Sequence, residues 1–353
     1  MTSRLRCPGG ALPVIAAETG RLDGVLVVDK PQGPTSHDVV AVVRRLWHLR
    51  KVGHTGTLDP IATGVLPLVL GRATRLAQFL SSSSKAYRAV IRLGVATTTY
   101  DALGEPTAPD VWRGSPIAEA LRADRGAGGR ARRSPAQITA VEVETVLQAF
   151  RGTFAQTPPL HSAKHVDGTR AYVHARRLDA VTLPAVDVST SALDLIELAD
   201  DRLTLEIACG AGFYVRSLAH DLGVALGCGA HLDALRRTAA GAFTLARAVA
   251  LSDIAREGPA RVVPLRDLLP SIRAVTLDAR GVERIRHGLP VSLPASESAG
   301  VPSVAPTEPE RSPAAPGSGD ASLRRLLDDS GELVALGRFE PGAGLLRPFL
   351  VLT

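Results

Sequence analysis

The chain has 353 residues, 45% of them hydrophobic and 22% charged, enough for a sizeable core and most simply two domains. No stretch approaches about 18 consecutive apolar residues, which argues against a membrane-spanning helix, and three cysteines with no C-x-x-C spacing argue against a disulfide scaffold or a zinc knuckle. The net charge of +6 permits a nucleic-acid partner without requiring one. Only four of the 41 basic residues are lysine (Lys30, Lys51, Lys85 and Lys164), which marks those positions as places where a compact ammonium is wanted.

Residues 1–22 read as a flexible tail rather than a signal peptide, because no sustained apolar run follows the early arginines. GVLVVDK (24–30) suits a strand, and PQGPTSH (31–37) is a loop in which Thr35 or Ser36 caps a helix carrying Val39, Val43, Leu46 and Trp47. KVGHTGTLDPIATG (51–64) breaks both periodicities and reads as a structured loop. VLPLVLG (65–71) is strand-like, with Pro67 suggesting an edge or an irregularity. ATRLAQFL (73–80) reads as a short helix and YRAVIRLGV (87–95) as a half-buried strand. Residues 106–137 read as a basic, mobile excursion. Helices are expected over 143–150 and at the end of 157–178, a strand over 203–210, and a helix after the glycines of 210–213. Val215, Leu218, Leu222 and Ala225 form its inward face, and Tyr214 and Arg216 sit at its first turn. Leu235, in LDALRR, reads as a helix position. A second domain begins near residue 272, with strand-like runs around 273–278, 289–293, 333–338 and 345–352 and a disordered Pro/Ala/Ser insertion over 294–322.

Asp59 precedes a proline, which holds it extended, and glycines flank it closely enough for backbone to approach a ligand. A carboxylate projected from such a loop can act as nucleophile or base. An Asp-Pro turn is by itself an ordinary structural feature; the signal lies in the whole stretch. His161, His165 and His174 fit no metal-ligand spacing.

GVLVVDKPQGPTS (24–36) together with KVGHTGTLDPIATGVLPLVLGRATR (51–75) resembles the TruB family of tRNA pseudouridine synthases. The similarity continues in order through KAYRAVIRLGVAT (85–97), TPPLHSAKHVDGTRAY (157–172) and GFYVRSLAHDLGVALGCGAHLDALRRT (212–238). The resemblance implies isomerisation of uridine 55 in the T-loop of tRNA to pseudouridine, with no metal and no organic cofactor. It implies a mixed α+β catalytic domain (23–271) built on a largely antiparallel sheet with flanking helices, and a small PUA-like β domain (272–353) that grips RNA. Asp59 matches the nucleophile, attacking the sugar or the base. Tyr87 matches the tyrosine that lies against the flipped-out base, and Tyr214 and Arg216 form a second group in which Arg216 pairs bidentately with Asp59. His54 matches a residue that holds the flipped-out region, Leu235 a substrate-pocket position, and Lys30 a basic residue near the cleft that contacts phosphate or buttresses the loop. The implied partner is the tRNA T-arm, with no membrane, no obligatory protein partner, a monomeric state and a cytoplasmic location.

The chain departs from the family at Thr98, where an aspartate is common, although Asp101 remains; Lys164 stands one place out of register. Two competing readings are a pseudouridine synthase acting on another RNA and a non-catalytic RNA-binding or tRNA-folding protein.

Overall fold

The computed structural model describes residues 22–124, 133–160, 165–166, 169–170, 183–257, 259–292 and 321–352. The readings at residues 1–21, Lys164, His161, His174 and most of 294–322 lie outside the described residues.

The strands in chain order are β1 (Gly24–Lys30), β2 (Val52–His54), β3 (Ala62–Leu70), β4 (Lys85–Leu93), β5 (Gly152–Gln156), β6 (His165–Val166), β7 (Thr169–Arg170), β8 (Val186–Ala199) and β9 (Arg202–Cys209). They continue with β10 (Ala230–Ala240), β11 (Phe243–Thr244), β12 (Val249–Ala250), β13 (Val263–Pro264), β14 (Ala274–Thr276), β15 (Val291–Ser292), β16 (Leu323–Leu327), β17 (Leu333–Glu340) and β18 (Leu345–Val351). The helices are α1 (Ser36–Leu46), α2 (Ala77–Ser81), α3 (Pro116–Asp124), α4 (Ala140–Leu147), α5 (Val215–Leu226), α6 (Ile254–Glu257) and α7 (Ala279–Arg286).

A large sheet runs β12-β1-β3-β10-β4-β9-β8-β5. The β12/β1 and β3/β10 pairs are parallel and the other neighbours on this path are antiparallel, so the sheet is mixed and largely antiparallel. β1 and β3 lie inside it and are buried on both faces, which is why they read as nearly continuous apolar runs rather than alternations. Each fully buried leucine there (Leu66, Leu68 and Leu70) contributes roughly 1.5–3 kcal/mol. Pro67 is not at an edge: it pairs with Val27 of β1, and its carbonyl accepts from Thr55 beside the end of β2. Its missing N–H points to that same side, where the short strand has ended, so the β1 ladder stays whole.

Helices cover one face. α1 starts with a capping box in which Thr35 Oγ1 accepts from Asp38 N and Thr35 N donates to the Asp38 carboxylate. α5 departs from the expected one-sided helix, because all twelve of its residues are buried. It lies between the sheet and α3 and α4, and Gly223 lets the start of β10 close in on it: a Cβ there would stand 2.1 Å from Ala230 N. The 106–137 stretch also departs from its reading as one mobile excursion. Residues 116–124 are α3, which packs on α5, and Trp112 and Ala118 are buried. The arginines around residues 122–133 masked the helical spacing of Ile117, Ala118 and Leu121.

LDALRR is strand, not helix: it belongs to β10, between β3 and β4. Leu, Ala and Arg favour helix only weakly, and pairing on both sides overrides them. A second sheet, β14-β16-β17-β18-β15, with α7 against it, forms a separate C-terminal β half-barrel that fits a PUA-like domain. Leu333, Leu336, Leu350 and Leu352 of this part share a core with Val25, Val27, Val65 and Val69 on the other face of the large sheet.

Candidate active site

Asp59 sits on the loop between β2 and β3, and every carbonyl from Gly56 to Pro60 has a donor. Gly56 and Thr57 accept from the Arg237 guanidinium at 3.0 and 3.4 Å. Leu58 accepts from Ser36 Oγ at 3.1 Å, while Leu58 N donates back to the same oxygen at 2.8 Å. Asp59 accepts from Ala62 N at 3.0 Å and Pro60 from Gly33 N at 2.9 Å. A loop whose polar backbone is satisfied this way is fixed in place rather than free to sample conformations.

The loop forms one wall of a cleft of about 300 Å³. Lys85 and Tyr87 of β4, with Leu235 and Arg237 of β10, line it from the sheet; Tyr214 and Arg216 line it from the start of α5. Tyr87 and Arg237 are directly opposite each other across the β4/β10 ladder, so both side chains project from the same face. Burial pushes the Tyr87 phenol up, and the nearby Arg237 charge opposes that shift.

Arg216 grips Asp59 with both arms of its fork: Nε lies 2.9 Å from Oδ2 and Nη2 donates to Oδ1 at 3.3 Å. Its other contacts hold the guanidinium from behind. Nη1 donates to the Thr99 carbonyl at 3.1 Å, and the Asp101 carboxylate stands 3.9 Å from Nε. Asp101 is itself fixed by Thr99 Oγ1 at 2.6 Å and Leu103 N at 3.0 Å. The Arg216 and Asp101 side chains are 6% and 7% exposed, whereas Asp59 is 35% exposed, so only the Asp59 end of this chain of charges meets solvent.

Tyr214 is held through its backbone. The Gln156 side chain accepts from Tyr214 N at 2.9 Å and donates to Tyr214 O at 3.1 Å, in place of the side-chain cap that the helix lacks.

Lys30 and His54 lie outside the lining. Lys30 is fully buried, and its ammonium donates to the Pro31 and Pro34 carbonyls at 3.0 and 2.8 Å. Burial lowers it to about 8, against the favourable field of Asp59. Of its two anticipated roles, this geometry fits the buttress of the PQGP turn and not the phosphate ligand. His54, on β2, accepts from Gly56 N through Nδ1 at 3.4 Å and meets His37 edge-on at 5.4 Å, and burial lowers its pKa. It flanks the Asp59 loop and is not part of the cleft lining. Lys85 donates to the Ser81 and Ser83 carbonyls and is lowered by burial to about 8. Among the described residues no group of three or more His, Cys, Asp or Glu side chains could hold a metal ion.

Sequence reasoning missed Arg237, Ser36 and Gln156. Each acts on backbone atoms far along the chain and leaves no local pattern. One signal was available for Arg237: once LDALRR is a strand, Leu235 and Arg237 share a face, and one pocket residue implies the other.

The model for the TruB family pseudouridylate synthase N-terminal domain matches residues 44–126 and 118–215. The model for the tRNA pseudouridylate synthase B C-terminal domain matches residues 216–270. The chain is 46% identical over 272 residues to tRNA pseudouridine synthase B of Solibacter usitatus, covering 76% of this chain and 85% of the relative. It is 38% identical over 323 residues to tRNA pseudouridine synthase B of Syntrophus aciditrophicus, covering 90% and 91%. Among solved structures, a chain of a Cbf5-Nop10-Gar1 complex shares the fold, with a TM-score of 0.63 at 24% identity over 94% of this chain and 85% of that one. With family models spanning most of the large sheet and a relative at nearly half identity, the chain belongs to the TruB family of pseudouridylate synthases.

Proposed function

We propose that the protein isomerises a uridine of tRNA, uridine 55 of the T-loop, to pseudouridine, with Asp59 as nucleophile. The observation that carries this reading is the bidentate pairing of Arg216 with Asp59 at the mouth of an otherwise buried charge network. Among the described residues it aims one carboxylate, and one only, into a cleft lined by Tyr87, Tyr214 and Leu235. The relatives' shared designation as tRNA pseudouridine synthase B supports the substrate.

The reaction is an isomerisation, so every atom of the substrate is kept. The target base is first flipped out of the folded loop, at a cost of a few kcal/mol. Tyr87 and Leu235 offer the extruded uracil an apolar bed. Asp59 attacks the sugar or the base and the N1–C1′ bond breaks. The uracil turns, C5 bonds to C1′, the carboxylate is released, and the C5 proton is lost while N1 gains one. His54, outside the cleft on the same loop, supports the flipped-out region of the RNA, and the PUA-like part from about residue 272 grips the stem. The protein acts as a monomer without a protein partner, and a tRNA substrate implies a cytoplasmic site of action. No helix among the described residues is long and apolar enough to cross a membrane.

The test is position-mapped pseudouridine formation in an unmodified tRNA transcript, with parent protein and Asp59→Asn side by side. Conversion at uridine 55 by the parent alone, with similar tRNA affinity in both, is the expected result. Conversion at another position would keep the chemistry and overturn the substrate site. Tight binding with no conversion by either would favour a passive RNA-binding role.

A further inference from the structure

We infer that Arg237 is a positioning residue for the reaction: its buried guanidinium seats the nucleophile loop against the sheet beside Tyr87. The inference deepens the functional reading above and rests on it.

The Arg237 side chain is the largest among those almost completely removed from solvent, with 1% exposure. Nε donates to the Val65 carbonyl at 2.7 Å, Nη1 to Thr57 at 3.4 Å and Nη2 to Gly56 at 3.0 Å. The first contact anchors the guanidinium to β3, where the loop rejoins the sheet. The other two lie two and three residues before Asp59. The same residue stands directly opposite Tyr87 across the β4/β10 ladder, and both line the cleft. One planar side chain therefore fixes the loop that carries Asp59 relative to the aromatic ring proposed to hold the base.

Stability alone is a poor reason for this arrangement. A buried charge costs several kcal/mol, and among the described residues no carboxylate pairs with Arg237. Neutral donors of similar size would satisfy carbonyls without that penalty. Geometry supplies the reason for arginine: the fork reaches acceptors on two segments at once, whereas a lysine offers a single point. The backbone is shaped around it as well. Gly64, at φ +100°, lies so close that a Cβ there would stand 2.2 Å from the Arg237 carbonyl oxygen. The β4/β10 register shifts immediately after Arg237, an irregularity of the kind that re-aims a side chain.

The test uses the full chain with Arg237→Lys and Arg237→Gln, each assayed well below its own unfolding midpoint. Three quantities are measured: the melting transition, the dissociation constant for an unmodified tRNA transcript, and the single-turnover rate of pseudouridine formation. Misplacing a reacting group by about 1 Å costs on the order of 100-fold in rate. Both variants are therefore expected to fold, to bind tRNA within about threefold of the parent, and to lose about 100-fold in single-turnover rate. The Gln variant loses more because it keeps neither the fork nor the charge. Rates within about threefold of the parent overturn the inference, and so does a loss expressed wholly as weaker tRNA binding. Failure of both variants to fold also overturns it, because Arg237 would then be a core residue of the fold. An inactive parent would instead overturn the functional reading itself.

Discussion

The cations around Asp59 and the exposed cations of the C-terminal sheet are handled in opposite ways. Lys30, Lys85 and Arg237 are buried and spend their protons on backbone carbonyls. Arg266 and Arg347, half or more exposed, pair instead with Glu332 and Glu340. Pairs of the second kind are solvated and screened, and they add little to stability. Cations of the first kind cost stability and, among the described residues, form no ion pair. The C-terminal sheet has buried arginine too, in Arg324 and the partly buried Arg325, which donate to carbonyls of their own part of the chain; what sets the large sheet apart is that Lys85 and Arg237 both reach one cleft. For a polyanionic substrate that charge sits on the side where it is useful.

The comparison breaks most decisively at Arg216, the one buried cation at the cleft that does meet carboxylates. Arg216→Ala is expected to lower the single-turnover rate by about 1,000-fold with a modest loss of tRNA affinity, because it releases Asp59 and strands Asp101. Unchanged turnover would remove the ion pair from the mechanism. Asp101→Asn keeps the shape and removes only the rear charge. About 10–100-fold in rate is expected to go, with Asp59 still gripped from the front. Equal rates in Asp101→Asn and parent would make Asp101 a turn residue only.

Lys30 sharpens the comparison through pH. Its folded value of about 8 lies below the ordinary 10.5. Below pH 8 both folded and unfolded chains hold the proton and the folded chain bears the full burial penalty. Between 8 and 10.5 the unfolded chain holds a proton that the folded chain has released, so stability rises with pH across that window. Lys30→Met should flatten this rise by about 1–3 kcal/mol in denaturant melts at successive pH values. Lys85 keeps its own share of the slope. A rise as steep as the parent's would mean that Lys30 titrates normally. The smallest effect belongs to the C-terminal sheet: Glu340→Gln should leave the melting temperature unchanged in moderate salt, and a clear drop would show that this exposed pair is worth more than its setting suggests.

The sequence disclosed elements whose signals are local. β1 is a β-branched run, α1 begins at a Thr-x-x-Asp box, and α5 follows glycines, so each could be read from a dozen residues. Asp59, Tyr87, Tyr214, Arg216 and Leu235 were legible through a family pattern, and the fold brings all five to one cleft. What stayed hidden is long-range. β2 has only three residues and a central glycine, so no alternation marks it. β16 and α7 fell between runs that were easier to recognise. Ser36 meets Leu58 across 22 residues, Gln156 meets Tyr214 across 58, and Arg237 meets Gly56 across 181. Hydrogen bonds to backbone ask only that a donor arrive, and a donor's arrival is decided by topology.

That last separation has a consequence for biosynthesis. A chain emerging from the ribosome has made the nucleophile loop by residue 61, yet two of that loop's carbonyls wait for a guanidinium that appears only at residue 237. At about 5–20 residues per second the interval is on the order of ten to thirty seconds. Throughout it the nascent chain carries the Asp59 carboxylate without the guanidinium that seats its loop. Chemical competence therefore arrives late in translation, when β10 closes the sheet, and a chain cut short before that strand retains Asp59 without the means to direct it.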